Sequence, residues 1–142
     1  MIVLFDTNVV IDVLQNRSPW NEAGKQLFLA IANRQIVGCV TAKQIADIHF
    51  LSRRSFKGME KVDEKCRTVI SKILALFETL DTLSADCKSA LLIENGDYED
   101  ALMLATAERC NVDCIVTRNR DHFIHSSVEC CSPDEMLQKL NR

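Results

Sequence analysis

The chain has 142 residues, 47% hydrophobic and 26% charged, enough for one domain with a proper core and too few for two comfortable ones. A net charge of -3 and a pI near 5.6 exclude a molecule that is basic throughout. No apolar run approaches the roughly 20 residues needed to cross a bilayer. Met1 leads directly into strand-like sequence with no charged leader, so the cytosol is the expected compartment and no membrane partner is expected.

The opening stretch, Ile2-Val3-Leu4-Phe5, is uninterrupted and apolar, the pattern of a central strand buried on both faces of a parallel sheet. It ends in Asp6, which places a carboxylate at the strand's C-terminal edge, where open α/β sheets bind ligands. Capping of the next helix is the competing use for Asp6. Val9, Val10, Val13 and Leu14 then recur at helical spacing, with Thr7 or Asn8 as cap. Ser18 followed by Pro19 predicts a second helix, running to about Arg34. Ile36 to Val40 reads as a second buried strand. Thr41 and Gln44 form a capping box that opens a third helix, which carries Asp47 in its second turn and breaks at Arg53 to Gly58.

An amphipathic helix is expected from about Glu60 to Glu78, and a short strand from Thr79 to Thr82. Ser84 or Asp86 caps a helix that runs to Glu94 and is ended by Asn95-Gly96. Another helix opens near Asp97 and reaches about Cys110. Val112 to Thr117 is a third strand, which ends in Arg118-Asn119-Arg120-Asp121. Ser127 to Cys131 reads as an edge strand, and Ser132-Pro133-Asp134-Glu135 opens a C-terminal helix. This alternation predicts an α/β fold: a three-layer α/β/α sandwich around a mostly parallel sheet of four to five strands.

The seven cysteines are an odd number scattered through helices and strands, which does not suit a disulfide framework. Most read as small buried hydrophobes. Cys110 and Cys114 at a helical turn's spacing, with Cys130 and Cys131 nearby, make zinc conceivable, but there is no C-x-x-C knuckle. Residues 43–72 hold eight basic residues (Lys43, Arg53, Arg54, Lys57, Lys61, Lys65, Arg67, Lys72) against four acids, a surplus of four that leaves the remainder at -7. A basic arm beside an acidic site has this distribution, and so does a solvated helix face.

Asp6, Asp47, Asp121 with Asn119, and the segment Asp97 to Asp100 all fall at or just after strand ends, or at the start of a helix leading back to one. Asp97 and Asp100, three apart, would share one side of a helix. Carboxylates gathered at one sheet edge repel each other unless a cation sits among them, and hard oxygen ligands suit Mg²⁺ or Mn²⁺. Such a centre can activate water for in-line attack on a phosphodiester. His49, His122 and His125 read as structural or surface residues, because a metal-bound hydroxide needs no separate base. Trp20 reads as a packing anchor, although Trp20 and Tyr98 offer faces on which a base could stack. An aspartyl phosphotransferase would want a second Asp where Asn8 stands.

DTNVVIDVL at 6–14, TAKQIADI at 41–48, DYEDALMLATAERCNVDCIVTRNRDHF at 97–123 and the helix after Ser132 together resemble the PIN-domain ribonucleases, in particular the short toxins of VapC-type toxin–antitoxin pairs. The resemblance spans nearly the whole chain as a single domain, 1–142. It implies an Mg²⁺- or Mn²⁺-dependent ribonuclease with catalytic Asp6, Asp47, Asp100 and Asp121. Asp6, Asp100 and Asp121 are the implied metal ligands, with Asp47 standing where the family usually has Glu. Asn119 and Asp121 compete for the fourth acidic position, and retained charge favours Asp121. Asn8, Asp97, Thr117 and Asn119 are implied to support the ligands or touch phosphate, and Thr7 offers a further hydroxyl. Arg53, Arg54, Lys57 and Arg118 are implied RNA contacts. Asp12 could hold Arg118. The implied partners are RNA, a small antitoxin and, since relatives often dimerise, a second copy of the chain. A catalytically weak module that binds RNA or protein is the alternative.

Overall fold

A computed structural model describes residues 1–94 and 97–142. In chain order the elements are β1 (Ile2–Phe5), α1 (Thr7–Leu14), α2 (Asn21–Ala32), β2 (Val37–Thr41), α3 (Ala42–Ser55), α4 (Val62–Leu76), β3 (Glu78–Leu80), α5 (Ser84–Ala90), α6 (Tyr98–Arg109), β4 (Cys114–Val116), a 3₁₀ turn (Arg120–Phe123), β5 (Glu129–Cys131) and α7 (Pro133–Leu140). The expected helix end at Asn95-Gly96 lies outside the described residues. No described helix is long and apolar enough to cross a membrane.

The five strands form one parallel sheet in the order β3-β2-β1-β4-β5. From β1 the chain winds outward through β2 and β3, then returns to the other side of β1 for β4 and β5. The C-terminal end of β1 is therefore the point where strand order reverses, where side chains have room to line a crevice. β1 sits in the middle because both of its faces are apolar. Val3 and Phe5 join a core with α1, α2, α3, α4 and α7, while Leu4 joins Met103, Leu104 and Ala107 of α6 on the opposite face. Phe5, Phe28 and Phe77 meet edge-to-face in the larger core, with centroids 5.1 to 6.3 Å apart.

Two capping boxes appear where the sequence placed them, at Thr41/Gln44 and at Ser132/Glu135. Asp86 caps from inside its helix: it accepts from the Leu83 amide at 2.9 Å and from Arg109 Nε at 2.8 Å, tying α5 to α6. Several boundaries differ from expectation: α5 ends at Ala90 and not Glu94, and β3 is Glu78–Leu80 and not Thr79 to Thr82. Residues 18–20 form a turn with a cis Ser18–Pro19 peptide, and α2 starts at Asn21; the Arg17 amide donates to Asp12 O in α1 and the Asn21 amide to Arg17 O, which closes the turn. α3 runs through Arg53 and Arg54, whose charges favour its C-terminal turn, and stops before Gly58, which has φ +84°. α4 spans only Val62–Leu76, and its apolar face, through Cys66, Val69, Ile70 and Ile73, is turned into the core. Cys110 and Cys114 are not a helical turn apart: Cys110 ends α6 and Cys114 lies in β4, with its Sγ 3.2 Å from that of Cys131 in β5.

Candidate functional site

Asp6 ends β1 and is 8% exposed. It occupies the N-cap position of α1 but makes no side-chain capping bond, so the capping use considered for it is not the one adopted. Its Oδ2 instead accepts from Thr117 Oγ1 at 2.7 Å, and the Asp6 amide donates to Val116 O at 2.9 Å. The Thr117 hydroxyl in turn accepts from the Asn119 amide at 2.9 Å, which fixes its hydrogen toward Asp6. On the other flank, Gln44 Nε2 donates to Phe5 O at 2.7 Å and to Thr7 Oγ1 at 3.1 Å. The capping residue of α3 thus also clamps the end of β1. Burial pushes the Asp6 carboxyl above its usual range, against the opposing pull of Thr117, the nearby Thr7 and Asn8 amides, and His122.

Asp100 stands in the first turn of α6, facing Asp6 from the other layer. Burial, then the charges of Asp6 and Asp97, push its carboxyl up to about 6, with His122 opposing. His122 Nδ1 lies 2.8 Å from Asp100 Oδ2. Asp97 caps α6 through Oδ1, which accepts from the Glu99 amide at 2.8 Å and the Asp100 amide at 3.3 Å, so it sits at the helix entrance on the same side as Asp100. Ligating atoms of Asp97, Asp100 and His122 lie within 4.8 Å of one another, a group that could hold an ion.

Asp6, Asp47, Glu99 and Asp100 line one cavity of about 320 Å³, together with Thr7, Lys43 and Gln44. Asp47 is held by Lys43, whose Nζ donates to Asp47 Oδ2 at 2.7 Å and to Glu99 Oε1 at 2.9 Å. Asn8 Oδ1 is enclosed without a hydrogen-bond partner among the described residues. Asp121 does not line this cavity: it is exposed on the 3₁₀ turn and lines a neighbouring depression with Glu94, His125 and His122, the residue that contacts Asp100. Asn119 is exposed, and it reaches the site only through its amide.

Sequence reasoning missed His122, Glu99, Lys43 and the clamping role of Gln44. The signal for His122 was its place one residue after Asp121 in the tail motif. Neighbours in a 3₁₀ turn point about a third of a turn apart, and His122 is the one that contacts Asp100.

The basic candidates divide as well. Arg53, Arg54 and Lys57 line an open groove of about 420 Å³ with Phe50 and Val62. Arg118 is anchored: Nε is 2.6 Å from Oδ2 of Asp12, which is 1% exposed, and the guanidinium lies 4.4 Å from the centre of the Trp20 ring. Asp12 does hold Arg118, and Trp20, though half exposed, gives Arg118 a face to pack on.

A family model described as PIN domain matches residues 2–121. No curated protein matches the sequence. Among solved structures, a toxin–antitoxin complex from Klebsiella pneumoniae aligns at TM-score 0.66 and 20% identity, covering 92% of this chain and 97% of that one. VapBC2 from Rickettsia felis bound to a DNA fragment of its promoter aligns at 0.64 and 16%, covering 93% and 98%. A protein from Pyrobaculum aerophilum aligns at 0.66 and 17%, covering 99% and 90%. At these identities the structures show a shared fold, and the family match carries the assignment: this chain, a parallel sheet with a buried acid at the C-terminal end of its central strand, matched over most of its length, belongs to the PIN domain family.

Proposed function

We propose that this chain is a metal-dependent endoribonuclease that hydrolyses RNA phosphodiester bonds and acts as the toxin of a toxin–antitoxin pair. PIN domains are generally nucleases. The observation that carries the reading is the pair Asp6 and Asp100, brought from β1 and α6 into one cavity, each with its carboxyl raised by burial and Asp100 raised further by the charge of Asp6. Two crowded acids favour a cation between them, and their hard oxygens fit Mg²⁺ or Mn²⁺. The enclosed, unpaired Asn8 Oδ1 adds a further oxygen without a hydrogen-bond donor.

Asp6 and Asp100 would hold the ion, with Asp97 and His122 beside Asp100. When bound, a divalent ion in such a site activates water and stabilises the leaving oxygen. Thr117 keeps Asp6 in one rotamer through its 2.7 Å hydrogen bond, and His122 does the same for Asp100. The groove of Arg53, Arg54 and Lys57 supplies positive charge for the phosphate backbone. The Klebsiella complex and VapBC2, with which this chain shares its fold, are the basis for proposing a small antitoxin as partner and the cytoplasm as the place of action.

The test is cleavage of structured RNA with Mg²⁺ or Mn²⁺ by the wild type, Asp6→Asn and Asp100→Asn. Loss of cleavage in both variants and on adding EDTA is expected. Full activity in both variants, or activity indifferent to EDTA, refutes the reading. The alternative of a catalytically weak binding module draws on the tethering of Asp47 by Lys43, and tight RNA binding without turnover would favour it.

A further inference from the structure

The acidic cavity has two ionic halves. The inner half is Asp6 and Asp100, supported by Thr117 and His122. The outer half is Asp47 of α3 and Glu99 of α6, already bridged by Lys43 Nζ at 2.7 and 2.9 Å. Lys43 is the one cation among the described residues lining the cavity, against four carboxylates.

We propose that Lys43 takes the second cation position of this cavity, so that the site binds one divalent ion per chain and meets the RNA phosphate with an ammonium. The proposal rests on the nuclease reading above. Lys43 brings the outer pair, Asp47 and Glu99, from -2 to -1, whereas the inner pair, Asp6 and Asp100, keeps -2 with Asp97 beside it, so a divalent ion is drawn to the inner half. The outer acids are also poorly placed to attract an ion. Asp47 pairs back one helical turn to Lys43, and Glu99 reaches the same nitrogen from the opposite wall, so an ion entering there must first displace the lysine.

The ammonium is well anchored for this role. Lys43 lies in the first turn of α3 behind the Thr41/Gln44 box, and its amide donates to Thr82 Oγ1 at 3.3 Å. An ammonium has three donors. Two are directed at Asp47 and Glu99, and the third is available to a phosphoryl oxygen lying over the inner acids. Asp47 in place of a longer glutamate then has a physical use: it anchors the lysine and does not itself coordinate the metal.

The experiment is a Mn²⁺ titration of the full chain, followed by the electron paramagnetic resonance signal of free Mn²⁺, on wild type, Lys43→Met and Lys43→Arg. Binding of an RNA oligonucleotide in Ca²⁺ is measured in parallel. One ion is expected in the wild type and in Lys43→Arg. Lys43→Met releases Asp47 and Glu99 and is expected to take up a second, weaker ion while binding RNA about tenfold less tightly. Thermal unfolding checks that Lys43→Met keeps the fold. Two ions in the wild type, or Lys43→Met indistinguishable from wild type in both stoichiometry and RNA affinity, overturns the role of Lys43 and leaves the nuclease reading standing. Absence of Mn²⁺ binding in all three proteins overturns the nuclease reading itself.

Discussion

Asp100→Asn should stabilise the metal-free protein at alkaline pH while removing its activity. The Asp100 carboxyl rises from an ordinary 3.8 to about 6 because burial and the charges of Asp6 and Asp97 oppose ionisation. A raised carboxyl binds its proton more tightly when folded than when unfolded. Its favourable contribution is therefore complete below pH 3.8 and is lost as the pH rises through about 6. At full strength the difference corresponds to about 3 kcal/mol. Partial solvent access at the cavity mouth screens it, leaving about 1–2 kcal/mol. Asparagine is isosteric and keeps an oxygen for His122 Nδ1, so it removes the charge and little else. For a chain of this length the gain reads as a rise in Tm of roughly 2–8 °C. The assay is thermal unfolding of wild type and variant at pH 5 and pH 8 in EDTA, and again with excess Mn²⁺. The variant should gain at pH 8, gain much less at pH 5, and lose its advantage in Mn²⁺, which stabilises only the wild type. A lower Tm for the variant at pH 8 without metal, or an equal gain at both pH values, would refute the crowding of Asp6 and Asp100.

Thr117→Val removes the hydroxyl that donates to Asp6 and is expected to destabilise the protein by about 1–3 kcal/mol in urea unfolding, with activity falling further than stability explains. Arg118→Ala leaves the buried Asp12 without its close partner and should cost about 2–4 kcal/mol; because Arg118 is committed to Asp12 and Trp20, RNA affinity of the folded variant should be unchanged in a filter-binding assay. Replacing Arg53, Arg54 and Lys57 together by Gln should lower RNA affinity and flatten its salt dependence by about 2 in log–log slope, while thermal stability stays within about 1 kcal/mol of wild type. Gly38→Ala should cost about 1–3 kcal/mol, since an added Cβ would lie 2.3 Å from Ile31 Cδ1 and 3.2 Å from Phe77 Cδ1.

Much of the architecture was legible in the sequence because it rests on short-range order. An unbroken apolar run makes Ile2 to Phe5 a central strand, reciprocal caps four residues long open α3 and α7, and a carboxylate directly after a parallel strand must lie at its C-terminal edge. These features depend on neighbours within a turn or two, so they survive without knowledge of the fold. What tertiary structure decided lies at long range or turns on orientation. Arg118 and Asp12 are 106 positions apart, and their pairing fixes where the Arg118 guanidinium lies. Lys43 and Glu99 are 56 apart, and their bridge puts an ammonium between Glu99 and Asp47, an arrangement no local pattern announces. At the tail motif a single residue's rotation in a 3₁₀ turn sets His122, not the neighbouring Asp121, against Asp100. Sequence pattern determines which segments meet at a sheet edge; which side chain of each segment points inward depends on how far the local backbone has turned when it arrives there.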